Sequence, residues 1–240
     1  MCTVTFMARK NGFALGMNRD EKLSRARALP PQLHSIHGRH ALFPFEPGGG
    51  TWVGVNDAGV GLALINWYAI STKLTEGATS RGEVVKMALA ADSMAGVGKA
   101  LAMLPLGKMN AFRLIGFFPA EGRVKEWRWN LHQLQARLHG WETNTWISSG
   151  FDELGAQKSR SDVFSSARQQ ISAGNLYWLR RLHRSHRPVR GAYSTCVHRE
   201  DAATVSYTEM IVSPHTAKLH YQEGAPCCKA TFSECSLKRI

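Results

Sequence analysis

The second residue of the chain is a cysteine, and its type and position allow catalytic chemistry once Met1 is removed. We expect that removal because Cys2 is small. It would place a thiol and a free α-amine on the same residue. Their reference pKa values are about 8.5 for the thiol and about 7.7–8.0 for the amine, so the amine can accept the thiol proton. Cys2 would then be a nucleophile that carries its own general base.

Arg19 and Asp20, further along the chain, can assist the thiol and the amine of Cys2. Arg19 would favour the thiolate by lowering the thiol pKa, and Asp20 would hold and orient the ammonium group. Apolar and polar residues alternate in residues 2–8, which predicts a strand, and residues 13–17 are predicted to be the returning strand. The Asn-Gly turn at residues 9–12 joins the two strands into a hairpin, which brings Arg19 and Asp20 back to the start of the chain. From these residues alone, an incidental thiol beside a surface ion pair remains an open alternative.

A second hairpin is predicted further along the chain. Residues 51–56 and 60–67 flank the turn Asn56-Asp57-Ala58-Gly59. Ser80 and Glu83 then form a predicted capping box, in which Ser80 accepts from the backbone and Glu83 reaches back. The helix it opens runs to about residue 91, and a second runs to about 104. The thirty residues before the second hairpin are rich in proline and glycine and are predicted to be loop.

The remaining elements continue the same order of strands and helices. Strands are predicted at 111–118, 124–129 and 145–148, helices at 155–171 and 175–187, and strands at 193–199, 203–212 and 216–222. Hairpins dominate, which favours antiparallel sheets with helices on their outer faces, an α+β fold. No internal repeat or linker interrupts the pattern, so residues 1–240 are predicted to form a single domain.

Several segments resemble the NRDE family, which includes the transport-and-Golgi-organisation protein 2 group. The tetrapeptide of that name is Asn18-Arg19-Asp20-Glu21. The other matching segments are Met1–Phe6, Gly49–Asn56, Ala63–Trp67, Ser80–Glu83 and, more loosely, Ser194–Val197 with Val205–Glu209. The resemblance covers residues 1–90 well and 193–210 loosely.

That family is in turn similar to choloylglycine hydrolases and penicillin V acylases, which are N-terminal-nucleophile (Ntn) amidases. The resemblance implies a four-layer αββα sandwich with Cys2 as nucleophile, Asp20 near its amine and Asn66 helping to hold the oxyanion. Such a donor contributes on the order of 3 kcal/mol in acyl transfer. Those amidases carry a second asparagine where this chain has Ser148-Ser149-Gly150.

Cys2, Arg19, Asp20 and Asn66 are therefore the predicted catalytic residues. The residues expected to contact substrate are Asn18, Trp67, Arg81 and Ser149. The predicted reaction is that of an amidohydrolase or acyl transferase acting on a small amide. The alternative is a non-catalytic protein of the same fold that handles haem, a lipid or another anionic or apolar ligand.

The composition is that of a globular protein, with 240 residues, 44% of them hydrophobic and 20% charged. No secretory signal is recognised. The longest apolar run has only 8 residues, Val60–Trp67, against the ~20 that a membrane span requires. Together with five cysteines, this predicts reduced thiols in a cytoplasmic protein without a membrane span.

No metal and no cofactor are expected from the sequence. His34, His37 and His40 have ligand-like spacing only on a helix, and Gly38 argues against one. Cys196, Cys227, Cys228 and Cys235 lack a paired C-x-x-C motif and are interpreted as ordinary thiols.

The net charge is +12, and residues 175–190 contribute strongly to it. Helical spacing would put Arg180, Arg184 and Arg187 on one face, which could bind nucleic acid or form an anion-binding lip over the Cys2 site. No nucleic-acid motif accompanies them. A solvated basic face is favoured, and nucleic-acid binding is the least favoured of the three function classes.

Overall fold

A computed structural model of the chain describes residues 2–74 and 77–240. Its thirteen strands within these ranges are β1 Cys2–Arg9, β2 Gly12–Lys22, β3 Leu29–Ile36, β4 Arg39–Phe45, β5 Val53–Asn56, β6 Gly61–Asn66, β7 Phe112–Phe118, β8 Arg123–Trp129, β9 Leu134–His139, β10 Asn144–Ser148, β11 Ala202–Val212, β12 Thr216–Glu223 and β13 Phe232–Lys238. The α-helices of the same ranges are α1 Gly82–Ala88, α2 Met94–Ala102, α3 Glu153–Arg168 and α4 Leu176–His183.

The strands form two sheets whose neighbouring strands are all antiparallel. The six-stranded sheet has the order β10-β1-β2-β11-β12-β13, and the seven-stranded sheet has the order β3-β4-β5-β6-β7-β8-β9. The second sheet is a continuous meander in chain order, and the first is completed by strands that are distant in sequence. This architecture confirms the prediction of an α+β fold with antiparallel sheets.

The two sheets are covered by helices and enclose a common core. Side chains such as Val4, Phe6 and Phe117 pack between the sheets. Helices α1 and α2 cover the outer face of the seven-stranded sheet, and α3 and α4 cover the six-stranded sheet. The order of layers is therefore αββα, as the family resemblance implies.

The first hairpin forms as predicted and fixes the register of the site. Arg9 pairs with Gly12 at the turn, and Cys2 pairs with Arg19 at the open end. Gly12 has a φ of +145°, and a Cβ there would lie 2.0 Å from the Val212 carbonyl oxygen. Only glycine fits at this position of the turn, because any side chain would clash with the backbone of Val212.

The prediction of a loop before residue 51 is wrong, because β3 and β4 form a hairpin within it. Pro30 and Pro31 lie on β3, which pairs only with β4 and is the edge of its sheet. Proline is tolerated at an edge, and the register shifts between Leu29 and Gln32 around the pair. The series His34, His37 and His40 consequently lies on this hairpin rather than on a loop.

The strand predicted at 193–199 is also wrong. The segment makes a single bridge, from His198 to Ala203. Its backbone is held instead by scattered hydrogen bonds, such as Asn18 donating to the Thr195 carbonyl and the Cys196 N–H donating to the Ser185 carbonyl. Strands β9 and β13 had not been predicted. Both are sheet edges with mostly exposed or half-buried side chains, so their hydrophobic alternation is weak.

Two helix predictions differ in detail from the structure. Ser80 accepts from the Gly82 N–H, whereas the Glu83 side chain turns to Lys86, so the capping box does not form. Helix α4 ends at His183, short of the predicted residue 187. The predicted basic face therefore does not form, and Arg180 is already paired through two hydrogen bonds with Glu209.

Within the described ranges, no helix has the length and apolarity that a membrane crossing requires. All five cysteines lie in those ranges and are free thiols.

Candidate active site

Cys2 is the first residue of β1 and lies between two strands, directly opposite Arg19 of β2 and Ser148 of β10. Alternation along β1 places its side chain on the same face as Val4 and Phe6, which is the face turned towards the second sheet. The side chain is only 7% exposed. The thiol is thus held by the sheet and is not on a free tail.

A cavity of about 320 Å³ opens between the ends of the two sheets beside Cys2. Its lining residues are Cys2, Arg19, Asp20, Glu21, Arg25, Glu46, Gly50, Thr51, Trp52, Leu64, Asn66, Ala78, Thr79, Ser80, Arg81, Gly82 and Asn110. The cavity therefore brings together all four residues predicted to be catalytic and, of those expected to contact substrate, Arg81.

Arg19 reaches into the cavity on the same face as the thiol. Its Nη2 lies 2.5 Å from Glu46 Oε1 and 3.6 Å from Glu21 Oε2. Its guanidinium also lies 4.5 Å from the centre of the Trp52 ring. These partners fix the guanidinium and neutralise much of its charge.

Asp20 is fully buried and leaves β2 on the opposite face, towards α3. Arg160 Nη1 donates to Asp20 Oδ2 at 3.3 Å, and Thr204 Oγ1 donates to Asp20 Oδ1 at 2.6 Å. Arg160 Nη1 also donates to Thr3 Oγ1 at 2.9 Å. Burial raises the pKa of the Asp20 carboxyl, and the Arg160 guanidinium and the Thr204 hydrogen bond offset part of that rise.

Arg160 had not been singled out in the sequence. It is 1% exposed and lies one helical turn from Ala156 and from Phe164, both of which are buried on α3. Arg160 occupies a position of α3 at which the helical pattern predicts a buried apolar residue. This could have identified it from the sequence, because a buried arginine requires an anionic partner.

The Cys2 thiol is protonated in this environment. Burial raises its pKa, the neighbouring Asp20 carboxylate raises it further, and Arg19 acts in the opposite direction. A base is consequently needed to generate the thiolate. No imidazole lines the part of the cavity that the structure describes, so a histidine does not provide that base.

Two polar side chains near the thiol could support an oxyanion. Asn66 lines the cavity at the end of β6, and its Nδ2 donates to the Tyr68 hydroxyl at 2.8 Å. Ser148 lies beside Cys2 on β10, on the same face because the two residues are directly paired. The buried Ser148 Oγ has no hydrogen-bond partner among the described residues, and the sequence had drawn attention to Ser149 instead.

Arg81 differs from Arg19 and Arg25, the other cations of the cavity, because no described carboxylate forms an ion pair with it. Its Nη1 donates to the Ala111 carbonyl at 3.1 Å, and within residues 2–74 and 77–240 it forms no ion pair. Burial lowers the pKa of its guanidinium, but arginine remains charged at neutral pH. The site thus presents a positive group that a ligand anion could reach.

The other three predicted contact residues lie outside the cavity lining. Asn18 is buried beneath the sheet, where its Nδ2 donates to the carbonyls of His183 and Thr195. Trp67 lies against Arg128, and Ser149 Oγ accepts from the Phe151 N–H. None of residues 175–190 lines the described part of the cavity, so the alternative of an anion-binding lip over Cys2 is wrong.

Comparisons with known proteins agree with this fold. The model of the family described as Transport and Golgi organisation 2 (TANGO2) matches residues 1–121. A mutant of conjugated bile acid hydrolase from Clostridium perfringens has a TM-score of 0.55 at 10% identity, covering 97% of this chain and 96% of that one. Penicillin V acylase from Agrobacterium tumefaciens has a TM-score of 0.50 at 9% identity, covering 93% and 83%. No curated protein matches the sequence significantly.

Proposed function

The chain belongs to the Transport and Golgi organisation 2 family, and from this premise we propose that it is a Cys2-dependent amidohydrolase or acyl transferase acting on a small amide. The observation that carries the proposal is the placement of Cys2 at a sheet end, where its buried side chain faces a cavity that Asp20 and Asn66 also line. The proposal requires removal of Met1, because only then does residue 2 carry a free amine.

The reaction would proceed through a thioester. The free amine of Cys2 accepts the thiol proton, and the thiolate sulfur attacks the carbonyl carbon of the amide. The tetrahedral oxyanion is then stabilised by the Asn66 carboxamide, for which hydrogen-bond reach of about 2.6–3.2 Å is needed. Collapse breaks the C–N bond, and the departing amine takes the proton from the ammonium group. Attack by water or a second nucleophile on the thioester completes hydrolysis or acyl transfer.

Asp20 would hold the ammonium group through these steps. Asp20 follows Arg19 on β2, and Arg19 is paired with Cys2, so Asp20 lies next to the start of the chain. Arg160 and Thr204 hold its carboxylate by hydrogen bonds on the face of the sheet that is covered by α3. This arrangement lets a negative charge stabilise the protonated amine without placing that charge on the thiol's own face of the sheet.

The substrate class follows from the charges of the cavity. Arg19 and Arg25 are paired with Glu21 and Glu46, whereas Arg81 forms no ion pair with any carboxylate among residues 2–74 and 77–240. An amide with a carboxylate or similar anion near the scissile bond would provide its partner. The volume of about 320 Å³ limits the part enclosed to a small molecule.

A carrier of haem or lipid is the alternative, and the cavity lining fits it less well. Six of the 17 residues that line its described part are charged, whereas ligand pockets are lined mainly by apolar side chains. Cys2 is the one lining residue there of a type that ligates haem iron. Burial raises the pKa of its thiol and disfavours the thiolate that iron would require.

The proposal is tested by intact-mass spectrometry of the purified protein before and after reaction with a thiol-reactive acylating probe. We expect Met1 to be absent and one acyl group to be added at Cys2. Cys2→Ser should abolish this labelling without unfolding the protein, and Asp20→Asn should slow it. Cys228→Ser is the matched control, because it removes an exposed thiol and should leave Cys2 labelling unchanged.

Two results would contradict the proposal. One is retention of Met1 on nearly all molecules, since the amine base would then be missing. The other is acylation of Cys2→Ser as fast as that of the unaltered protein, since another cysteine would then be the reactive group. Reversible ligand binding that survives Cys2→Ser, without acylation, would favour the carrier instead.

A further inference from the structure

We propose that His186, Cys196, His198 and Cys227 form a structural zinc site, separate from the Cys2 cavity. One ligand atom from each of these four side chains can be chosen so that all four lie within 4.8 Å of one another. The four residues do not form a paired C-x-x-C motif in the sequence. The inference is independent of the proposed function, because it concerns the binding of a metal ion and not the reaction of an amide.

Three of the six distances within the cluster are close to the edges of a tetrahedron. His198 Nε2 lies 3.2 Å from His186 Nε2, 3.5 Å from Cys196 Sγ and 3.3 Å from Cys227 Sγ. With Zn–N of about 2.0–2.1 Å and Zn–S of about 2.3 Å, tetrahedral geometry requires ligand separations of roughly 3.3–3.8 Å. His198 Nε2 is therefore already at a near-tetrahedral distance from the other three atoms. No separation in the cluster exceeds 4.8 Å, so side-chain movements of about 1 Å would place all four atoms around one zinc ion.

Hydrogen bonding alone does not account for this packing. His198 Nε2 has three neighbours at 3.2–3.5 Å, but a neutral imidazole nitrogen has either one proton or one lone pair to offer. A single ion at the centre satisfies all four atoms at once.

One neighbour must move when the metal binds. Arg190 Nη2 lies 3.2 Å from His198 Nδ1, and zinc at Nε2 leaves the ring proton on Nδ1, which then cannot accept from a guanidinium. Arg190 is exposed, so its side chain can turn into solvent. Its removal should not weaken metal binding.

The ligand types select the metal. Two thiolates and two imidazoles in a tetrahedron are the donor set of structural zinc sites. Binding of Zn²⁺ displaces one proton from Cys196 and one from Cys227, so the complex with two neutral histidines has no net charge. All four positions are filled by protein, which leaves no open position for a catalytic water and indicates a structural role.

The site would join two segments without regular structure. His186, Cys196 and His198 lie between α4 and β11, and Cys227 lies in the connection between β12 and β13. The first segment supports the active site, because the Val197 N–H donates to Thr204 Oγ1, which in turn donates to Asp20. Zinc would therefore help to hold the residues beneath Asp20.

The decisive measurement is metal content and metal titration of the full chain, purified without an affinity tag. We expect about one zinc per chain by elemental analysis. After chelation, Co²⁺ added to the apoprotein should give the intense visible bands of tetrahedral cobalt and the near-ultraviolet thiolate charge-transfer band, saturating at one equivalent. Excess Zn²⁺ should abolish both.

Variants separate this cluster from other thiols. Cys227→Ala should lower Zn²⁺ affinity by at least about 100-fold, because even the loss of residues behind the ligands costs 10–100-fold. Cys228→Ala is the matched control, since it removes the adjacent exposed thiol, and it should bind one zinc unchanged. Arg190→Ala should bind zinc at least as tightly as the unaltered chain.

Three results would overturn the inference. The first is an apoprotein that gives no tetrahedral cobalt spectrum, a measurement that needs no variant. The second is Zn²⁺ affinity that is equal in the Cys227→Ala and Cys228→Ala proteins. The third is a mass two units lower with Cys196 linked to Cys227, which would identify the pair as a disulfide.

Discussion

Cys2 lies directly opposite Arg19 across the first hairpin, so the thiol and the guanidinium leave the sheet on the same face. Asp20, the next residue, leaves on the other face and contacts Arg160. The sheet thus separates the nucleophile from the carboxylate that would hold its amine. A one-residue slip of this register would exchange the two faces and destroy the arrangement.

Replacing Arg160 by methionine should destabilise the protein by about 3–5 kcal/mol, because the buried Asp20 carboxylate would lose its guanidinium partner. Urea unfolding followed by circular dichroism measures this change. The double variant Arg160→Met, Asp20→Asn should lose less stability than Arg160→Met alone, since a neutral residue 20 no longer requires the guanidinium.

The matched control for Arg160 is Arg27→Met. Arg27 pairs with Glu223, and the two side chains are 86% and 50% exposed, so its removal should change the free energy of unfolding by no more than about 0.5 kcal/mol. Equal losses in the two methionine variants would contradict a special role for the buried pair.

Replacing Arg81 by glutamine should lower kcat/KM for amides that carry a carboxylate by about ten- to a hundredfold, since hydrogen bonds to charged groups contribute about 1.5–3 kcal/mol. Neutral amides should be affected little. Arg81→Lys keeps the charge and should retain part of the preference. Equal losses on anionic and neutral substrates would assign Arg81 to the support of the cavity and not to substrate recognition.

His183 should make stability depend on pH. It is fully buried, and burial lowers its pKa from 6.5 to about 3. The unfolded chain therefore binds a proton between these values that the folded chain does not. The stability held above pH 6.5 is lost as the pH falls towards 3, by at most about 1.4 kcal/mol per pH unit.

Urea unfolding at pH 6.5 and pH 5.0 measures that dependence. His183→Gln should show a smaller loss over this interval than the unaltered protein. His132→Gln removes an exposed histidine and should leave the loss unchanged. If all three proteins lose the same free energy, His183 is not the group that titrates.

Gly61 and Gly98 should respond in opposite directions to alanine. A Cβ at Gly61 would lie 2.7 Å from Phe13 Cζ and 2.8 Å from Met210 Sδ, so Gly61→Ala should cost about 1–3 kcal/mol. A Cβ at Gly98, within α2, meets no atom within 4 Å. Gly98→Ala should therefore raise the free energy of unfolding by about 0.5–1 kcal/mol through helix propensity.

The hairpin elements of the fold could be predicted because their determinants are local. The Asn11-Gly12 turn and the strand alternation determine the register between β1 and β2. The turn at residues 56–59 does the same for β5 and β6, and it ends at Gly59, whose φ is +79°. Edge strands such as β9 and β13 could not be predicted, since water replaces the packing partners that would produce a clear pattern.

By itself the sequence determined which residues could react: a thiol at position 2, and Arg19 and Asp20 where the hairpin returns. The tertiary structure decided what supports them. Arg160 reaches Asp20 from 140 residues away, and Cys227 reaches His198 from 29. The sequence separation of such partners follows no rule, because they come together only when separate elements pack. Their contact is favoured because a buried charge needs a counter-charge and a metal ion needs several ligand atoms.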